Sequence, residues 1–157
     1  MNDTVVLKSV YRMTAVNFRL SAEVLYENME LKEDGIPAKY TAIPFYFLVS
    51  HSAELFLKAA LLKEGAKEKD LKSYSYRHDL STLLAKVQES GLIITSETIF
   101  LLGILSEQHK THSLRYTALL DDGQPFYMPK PGSVFKMLDE LLLLTHPSAK
   151  RTSDSSG

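Results

Sequence analysis

The sequence predicts an all-α fold, an antiparallel bundle of about five helices. Apolar residues recur at spacings of three and four in five separate stretches, the pattern of helices that bury one face. No stretch shows the alternation of apolar and polar residues that is typical of a half-buried strand. Short connections join the second, third and fourth stretches, and such connections favour antiparallel neighbours.

Length and composition indicate one ordinary globular domain. The chain has 157 residues, of which 45% are hydrophobic and 24% charged. We expect a single domain over residues 1–146 and a mobile tail over 147–157, where one alanine is the only apolar residue. The formal net charge of −1 gives no overall basic field, so double-stranded DNA is not an expected partner.

The chain is expected to be cytoplasmic and to have no contact with a membrane. Its first residues, MNDTVVLKSVYRM, lack the apolar segment of a signal peptide. No run reaches the roughly 18 apolar residues of a membrane span, because His51, Glu54 and Lys58 interrupt the longest one. Cysteine does not occur, which excludes disulfides, thiolate catalysis and cysteine-based zinc sites.

The first helix is predicted over about Thr4–Leu31. Its apolar stripe consists of Val6, Val10, Met13, Leu20 and Val24. The other face carries Arg12, Arg19, Glu23 and Glu27 and is interpreted as facing solvent, with Arg19 and Glu23 spaced as an i,i+4 pair. The segment KEDGIPAK then ends the helix, with Gly35 as a C-terminal cap and Pro37 beyond it.

The second helix, Ala42–Leu62, is predicted to be buried on nearly all sides, with Pro44 in its first turn. Its polar residues Ser50, His51, Glu54 and Lys58 share one narrow arc. Glu54 and Lys58 can pair, because a Glu four residues before a Lys is the favoured order. The arc either faces a site or a subunit partner, or satisfies its own polar groups at a helix boundary.

The third helix is predicted to begin within the segment Arg77–Leu80 and to end at Gly91. A short helical turn within 66–76 precedes it. Its buried stripe consists of Leu80, Leu83, Leu84 and Val87. Asp79 suits the first turn, where a negative charge favours the helix dipole. His78, just outside the helix, either contacts a neighbouring helix or a ligand, or fills a corner between loop and core.

The fourth helix is predicted to start near Thr95, which supplies a capping hydroxyl. One side carries Phe100, Leu101, Leu105, Gln108, His109, His112 and Tyr116. His109, His112 and Arg115 follow one another at spacings of three and therefore share a face. A long connection over 117–131 leads to the fifth helix, which runs from Gly132 to about Thr145. Its apolar stripe consists of Val134, Met137, Leu138, Leu141 and Leu142.

Three local patterns together resemble the HEPN superfamily, small prokaryotic all-α domains named for higher eukaryotes and prokaryotes nucleotide-binding. They are HSAELFLKAALL at 51–62, RHDLSTLL at 77–84 and HSLRY at 112–116. In that family the second helix has a small-residue, Glu, hydrophobic, Lys pattern, the next helix begins with His-Asp-Leu, and the following one ends in Arg-Tyr. The match covers roughly residues 42–116.

The resemblance implies a helical bundle that forms a homodimer, with roles in toxin–antitoxin or defence systems. Some members are metal-independent endoribonucleases, and others bind a nucleotide or a partner without catalysis. The nuclease members carry an Arg and a His separated by four to six residues. Here Arg115 is the candidate Arg, but Leu120, Asp121 and Asp122 occupy the positions where that His would lie.

Because that spacing is not matched, the favoured hypothesis is a non-catalytic or degenerate HEPN-like protein that binds a nucleotide, RNA or protein partner. The candidate ligand-binding residues are His51, Glu54, His78 and Tyr116. The alternative is a divergent metal-independent endoribonuclease that uses Arg115 with His112 or His109, since a cation and an imidazole suit phosphodiester cleavage near neutral pH. A third hypothesis is a structural bundle that assembles with another protein.

No metal and no cofactor are expected. His109-x-x-His112 has the spacing of two metal ligands on a helix, but two histidines are not specific for a metal. The sequence contains no Gly-rich phosphate loop, no Gly-x-Ser-x-Gly elbow and no His-Glu-x-x-His motif. The enzyme classes that depend on these motifs find no support.

Overall fold

The described part of the chain is an antiparallel bundle of helices, as predicted. The structure is a computed structural model that describes residues 3–73, 78–110 and 128–152. Within these ranges it contains six helices and no strand. They are α1 (Asp3–Glu27), α2 (Lys39–Lys63), α3 (Glu68–Leu71), α4 (Leu80–Glu89), α5 (Ser96–Lys110) and α6 (Pro131–Leu144).

Helix α2 is the centre of the bundle. It packs along α1 and also contacts α4, α5 and α6. Phe45, Tyr46, Phe56 and Leu57 on α2 are fully buried. The segment Thr41–Lys63 is long and apolar enough to cross a membrane, but 83% of its most apolar window is buried inside the protein. Its apolar surface therefore already contacts the other helices.

The start of α2 differs from the prediction. The helix begins at Lys39, so Pro44 lies inside it and not in its first turn. The backbone N–H groups of Thr41 and Ala42 donate to the Ala38 carbonyl at 3.0 and 2.8 Å, which extends the helix before the proline. Pro44 has no N–H to donate, so the helix runs through it with one backbone hydrogen bond fewer.

The orientation of α1 is the opposite of the predicted one. The residues of the predicted buried stripe are exposed: Val6 by 46%, Val10 by 55%, Met13 by 63%, Leu20 by 49% and Val24 by 60%. Helix α1 instead turns Ala15 and Ala22, both fully buried, toward the core. The Ser52 hydroxyl on α2 donates to the Ala15 carbonyl at 2.7 Å, so small side chains allow the two helices to approach closely.

The charged face of α1, predicted to face solvent, does so only in part: Glu27 is exposed, but the two arginines contact α6. Arg12 Nε donates to Thr145 Oγ1 at 3.0 Å, and Arg19 pairs with Asp139 at 2.8 Å. The Arg19 guanidinium also lies 5.6 Å from the centre of the Phe135 ring. Long arginine stems can cover apolar surface while their head groups remain paired, so a charged face is not always a solvated one. The predicted pair of Arg19 with Glu23 is present at 3.0 Å.

Helix α1 ends at Glu27, four residues before the predicted end. The Asn28 side-chain amide donates to the Val24 carbonyl at 2.7 Å and so bonds to the last turn. Gly35 has a φ of +78° and lies in a separate turn, where its N–H donates to the Lys32 carbonyl at 2.8 Å. Gly35 is therefore a turn residue and not the C-terminal cap of α1.

Helices α4 and α6 follow the predicted stripes, whereas α5 departs at Phe100, which was predicted on the same side as Leu101 and Leu105 but is 61% exposed. Leu80, Leu83, Leu84 and Val87 of α4 are buried, as are Val134, Met137, Leu138 and Leu141 of α6. The first turn of α5 is bonded to α6: Glu140 accepts from the Thr95 N–H at 2.7 Å and from the Thr95 hydroxyl at 2.8 Å, and also from the Thr98 hydroxyl. A carboxylate at a helix N-terminus also favours the helix dipole.

Part of the segment expected to be a mobile tail is packed against the domain. The Lys150 carbonyl accepts from the Ile93 N–H at 3.1 Å, and the Thr152 N–H donates to the Gly91 carbonyl at 2.9 Å. Arg151 forms an ion pair with Glu64 at the end of α2. Residues 153–157 and most of the connection over 117–131 lie outside the described residues.

Two leucines of α6 provide a matched test of the core. We expect Leu138→Ala to lower the free energy of unfolding by about 2–5 kcal/mol, because Leu138 is fully buried and its truncation leaves a cavity. Leu143→Ala on the same helix should change it by less than about 0.5 kcal/mol, because Leu143 is 66% exposed. Urea unfolding followed by circular dichroism measures both, and equal losses would contradict the described packing of α6.

Candidate functional site

The carboxylate of Glu54 lies at the centre of a buried polar cluster, which we name the Glu54 cluster. Glu54 is only 2% exposed, in the second half of α2. Lys58, one turn later, donates to its Oε1 at 2.6 Å. His109, near the end of α5, contacts Oε2 at 3.0 Å, and His78, before α4, contacts Oε2 at 3.1 Å. One carboxylate thus connects three parts of the bundle.

Glu54 is held in its ionised form. Burial by itself raises the pKa of this carboxyl group, but its interactions with His109, His51 and Lys58 outweigh the effect of burial and hold the pKa well below the ordinary value. An ionised carboxylate can only accept hydrogen bonds. His78 Nδ1 and His109 Nε2 must therefore carry the protons of the bonds to Glu54.

His51 is the fourth neighbour of Glu54. Its Nδ1 lies 3.7 Å from Glu54 Oε2, which is too far for a hydrogen bond and leaves an electrostatic contact. The ring is held by Phe18, edge to face at 4.5 Å, and by Phe47, stacked at 6.0 Å. Nδ1 is buried and has no hydrogen-bond partner among the described residues. Because the side chain is 26% exposed, the solvent-facing part of His51 is another edge of the ring.

His78 has a backbone conformation that is unusual for a residue with a side chain. Its φ is +62°, in the left-handed region, which costs an L-residue roughly 1–2 kcal/mol. Strain of this kind persists only where the surrounding contacts fix it, and it is often found at functional sites. Here the contact between His78 and Glu54 fixes the side chain of the strained residue.

The start of α4 is attached to α5 beside His78. Asp79 is the N-cap of α4, and its Oδ1 accepts from the Thr82 N–H at 3.1 Å. Ser106 of α5 accepts from the Ser81 N–H at 3.1 Å and lies 3.5 Å from the same Asp79 oxygen. These bonds fix the end of α4 that carries His78 against the helix that carries His109.

The accessible part of the cluster is imidazole and not carboxylate. Glu54 and His109 are almost completely buried, whereas the side chains of His51 and His78 are each 26% exposed. Lys58 already balances the charge of Glu54. A proton gained by either exposed histidine therefore gives the cluster a net positive charge, which suits an anionic ligand.

A metal ion is a second chemical possibility for these residues. Among the described residues, the donor atoms of His51, Glu54 and His109 lie within 4.8 Å of one another. However, His109 already donates a hydrogen bond to Glu54, and Lys58 already neutralises the charge of Glu54. A metal would have to displace the His109 proton beside a buried ammonium group. The geometry therefore fits a hydrogen-bonded network better than a ligand set.

The structure brings together four of the seven candidate residues from the sequence: His51, Glu54, His78 and His109. The other three, His112, Arg115 and Tyr116, lie outside the described residues. The sequence prediction did not include Phe18 and Phe47 as neighbours of His51. Phe47 could have been found, because it precedes His51 by four residues on one helix. Phe18 lies on another helix, and no local pattern connects it to His51.

Comparisons of the chain with protein-family models, with curated proteins and with solved structures gave no match. The functional argument therefore depends on the chain's own residues.

The Glu54–Lys58 pair can be tested by a double-mutant cycle. We expect Glu54→Gln and Lys58→Met each to lower the free energy of unfolding by about 3–5 kcal/mol, because each leaves a buried charge without its main partner. The double variant should lose less than the sum of the two by at least about 1 kcal/mol.

The control is Lys86 with Glu89, an exposed pair on α4 at 2.8 Å, whose coupling should stay below about 0.5 kcal/mol. Urea unfolding at neutral pH measures both cycles. Additive losses at Glu54 and Lys58 would contradict a direct pair.

The lowered pKa of Glu54 predicts a loss of stability in acid. Its stabilising contribution is complete above the ordinary pKa of 4.5 and is lost as the pH falls below that value toward the lower pKa of the folded state. The advantage of the native protein over Glu54→Gln should therefore shrink by about 1.4 kcal/mol per pH unit below about pH 4. Urea unfolding at a series of acidic pH values measures this difference, and a difference independent of pH would be inconsistent with an ionised Glu54.

Proposed function

We propose that this protein is a HEPN-like helical domain that acts in the cytoplasm and binds a phosphate group of a nucleotide or of single-stranded RNA at the Glu54 cluster. The observation that carries the proposal is the composition of the accessible surface of the cluster. It presents the imidazoles of His51 and His78, while the carboxylate is buried and already neutralised by Lys58. An exposed carboxylate would repel phosphate, but protonated imidazole attracts it.

The neighbouring sequence supports the same class of ligand. Arg77 directly precedes His78, and Arg115 follows His109 by six residues, with His112 between them. Two histidines of the cluster thus adjoin the segments that carry these cationic residues. Arginine is the side chain best suited to bidentate contacts with phosphate oxygens.

The sequence resemblance supports the proposal as well. The HSAELFLKAALL and RHDLSTLL patterns contain Glu54, Lys58 and His78, and both Lys58 and His78 contact Glu54 in the bundle. In this proposal Glu54 is an architectural residue that fixes the histidines, and the histidines with the nearby arginines contact the ligand. A role in a toxin–antitoxin or defence system is the biological setting that the resemblance favours.

The direct test is binding of a fluorescently labelled single-stranded RNA, followed by anisotropy in the presence of EDTA, with ATP as a competitor. We expect His51→Gln and His78→Asn to weaken binding by about tenfold or more, since each removes an imidazole contact to phosphate. Asn is chosen at position 78 because it tolerates the left-handed backbone.

His146→Ala is the matched control, because His146 is exposed and bonds to Ser148, outside the cluster. If neither RNA nor ATP binds, or if the His146 variant loses as much affinity as the cluster variants, the proposed site is wrong.

A divergent endoribonuclease is the second candidate. The observation that favours it is the pair of histidines oriented by one carboxylate, since such orientation prepares an imidazole for proton transfer. His109 is only 1% exposed, so it would act by supporting the residues that follow it. Cleavage of RNA in EDTA that is lost in both Arg115→Ala and His112→Ala would support this function, and cleavage that survives both substitutions would exclude this pair.

A further inference from the structure

The outer face of α1 carries an apolar stripe that no described residue of the chain covers. Its large side chains, Val6, Val10, Met13, Leu20 and Val24, are between 46% and 63% exposed. The stripe lies opposite Ala15 and Ala22, the residues by which α1 packs on the core. A contiguous exposed apolar patch on a globular protein usually marks an interaction surface.

The spacing of the stripe is that of a coiled-coil seam. Val10, Asn17 and Val24 are seven residues apart, and so are Val6, Met13 and Leu20, so the two sets form the a and d positions of a heptad pattern. Asn17 is exposed and occupies the central a position. An asparagine at one a position is the feature that sets register and favours two strands in parallel coiled coils.

We propose that a second copy of this chain covers the stripe, so that two α1 helices pack in parallel and in register with Asn17 beside the Asn17 of the partner subunit. The Asn side chain has both a donor and an acceptor, so two copies of it can pair with each other. The proposal depends on α1 alone and is independent of the function assigned to the Glu54 cluster.

The hydroxyl groups that border the stripe already have hydrogen-bond partners within α1. The hydroxyls of Ser9, Thr14 and Ser21 donate to the carbonyls four residues earlier, at 3.1, 2.8 and 2.9 Å. Because these groups already have partners on their own helix, an interface can cover them without leaving them unsatisfied. Two grooves beside the stripe, one lined by Leu20, Val24 and Leu25 and the other by Val6, Val10 and Leu62, offer room for side chains of the partner subunit.

A second copy fits this surface better than a lipid membrane does. A helix that lies on a membrane normally carries lysines and arginines beside its apolar face. The arginines of α1, Arg12 and Arg19, turn instead to α6, where they bond to Thr145 and Asp139. At 1.5 Å per residue, the stripe from Val6 to Val24 is about 27 Å long. Because α1 is already folded on the core, dimerisation does not carry the free-energy cost of nucleating a helix.

The first test is the mass of the protein in solution, measured by light scattering after size-exclusion chromatography. We expect the native chain at twice its 17.7 kDa mass and Leu20→Glu at the monomer mass, with self-association weakened by at least about a hundredfold because a charge would enter the seam. Phe100→Glu, at a 61% exposed residue of α5, should remain dimeric. Both substituted side chains are exposed in the monomer, so the urea unfolding midpoint of the monomeric fold reports whether either variant is misfolded.

The second test uses the cysteine-free sequence to determine the arrangement. Asn17→Cys should form a disulfide-linked dimer on mild oxidation, and Glu89→Cys, an exposed control position on α4, should not. Asn17→Val should associate more tightly and include species larger than a dimer, because the register-setting amide is lost.

A monomeric native chain would overturn the proposal, as would a dimer that Leu20→Glu leaves intact. A dimer whose Asn17→Cys variant does not cross-link would overturn the parallel, in-register arrangement. A monomer that sediments with phosphatidylglycerol vesicles in a Leu20-dependent manner would assign the stripe to a membrane surface instead.

Discussion

A buried carboxylate must be neutralised by its surroundings, and the described bundle depends on how Glu54 meets this requirement. A single unpaired charge in a protein interior would cost more than the stability of a typical domain can tolerate. Lys58 supplies the compensating charge from the same helix, and His78 and His109 supply hydrogen bonds from two other parts of the chain. The Glu54 cluster therefore couples the electrostatics of α2 to the positions of α4 and α5.

The same arrangement separates two tasks that often compete at a site. Glu54 and Lys58 stabilise and orient, because both are almost inaccessible to solvent. His51 and His78 form the accessible part of the cluster, because each side chain is 26% exposed. The strained backbone at His78 fits this division, since the contact with Glu54 holds a residue in a conformation that it would otherwise leave.

The sequence predicted the elements well and their mutual arrangement less well. The leucine stripes of α4 and α6 and the Glu54–Lys58 pair were predictable because they depend on neighbours three and four residues away. The contacts of Glu54 with His78 and His109 join residues 24 and 55 positions apart, and periodicity carries no information on such pairs. The error at α1 has another cause: a helical pattern shows which side chains share a face, but not which face of the helix packs on the core.

The bonds of Glu140 affect the order in which parts of the fold can form. The Thr95 hydroxyl caps α5, as predicted, because it accepts from the Thr98 N–H at 3.3 Å, and Glu140 of α6, more than 40 residues later in the chain, accepts from the Thr95 N–H and from both threonine hydroxyls. Closing so long a loop is slow compared with forming a local turn. The bonds of Ser106 with the start of α4, which join residues about 25 positions apart, can therefore form before Glu140 of the last helix fixes the first turn of α5.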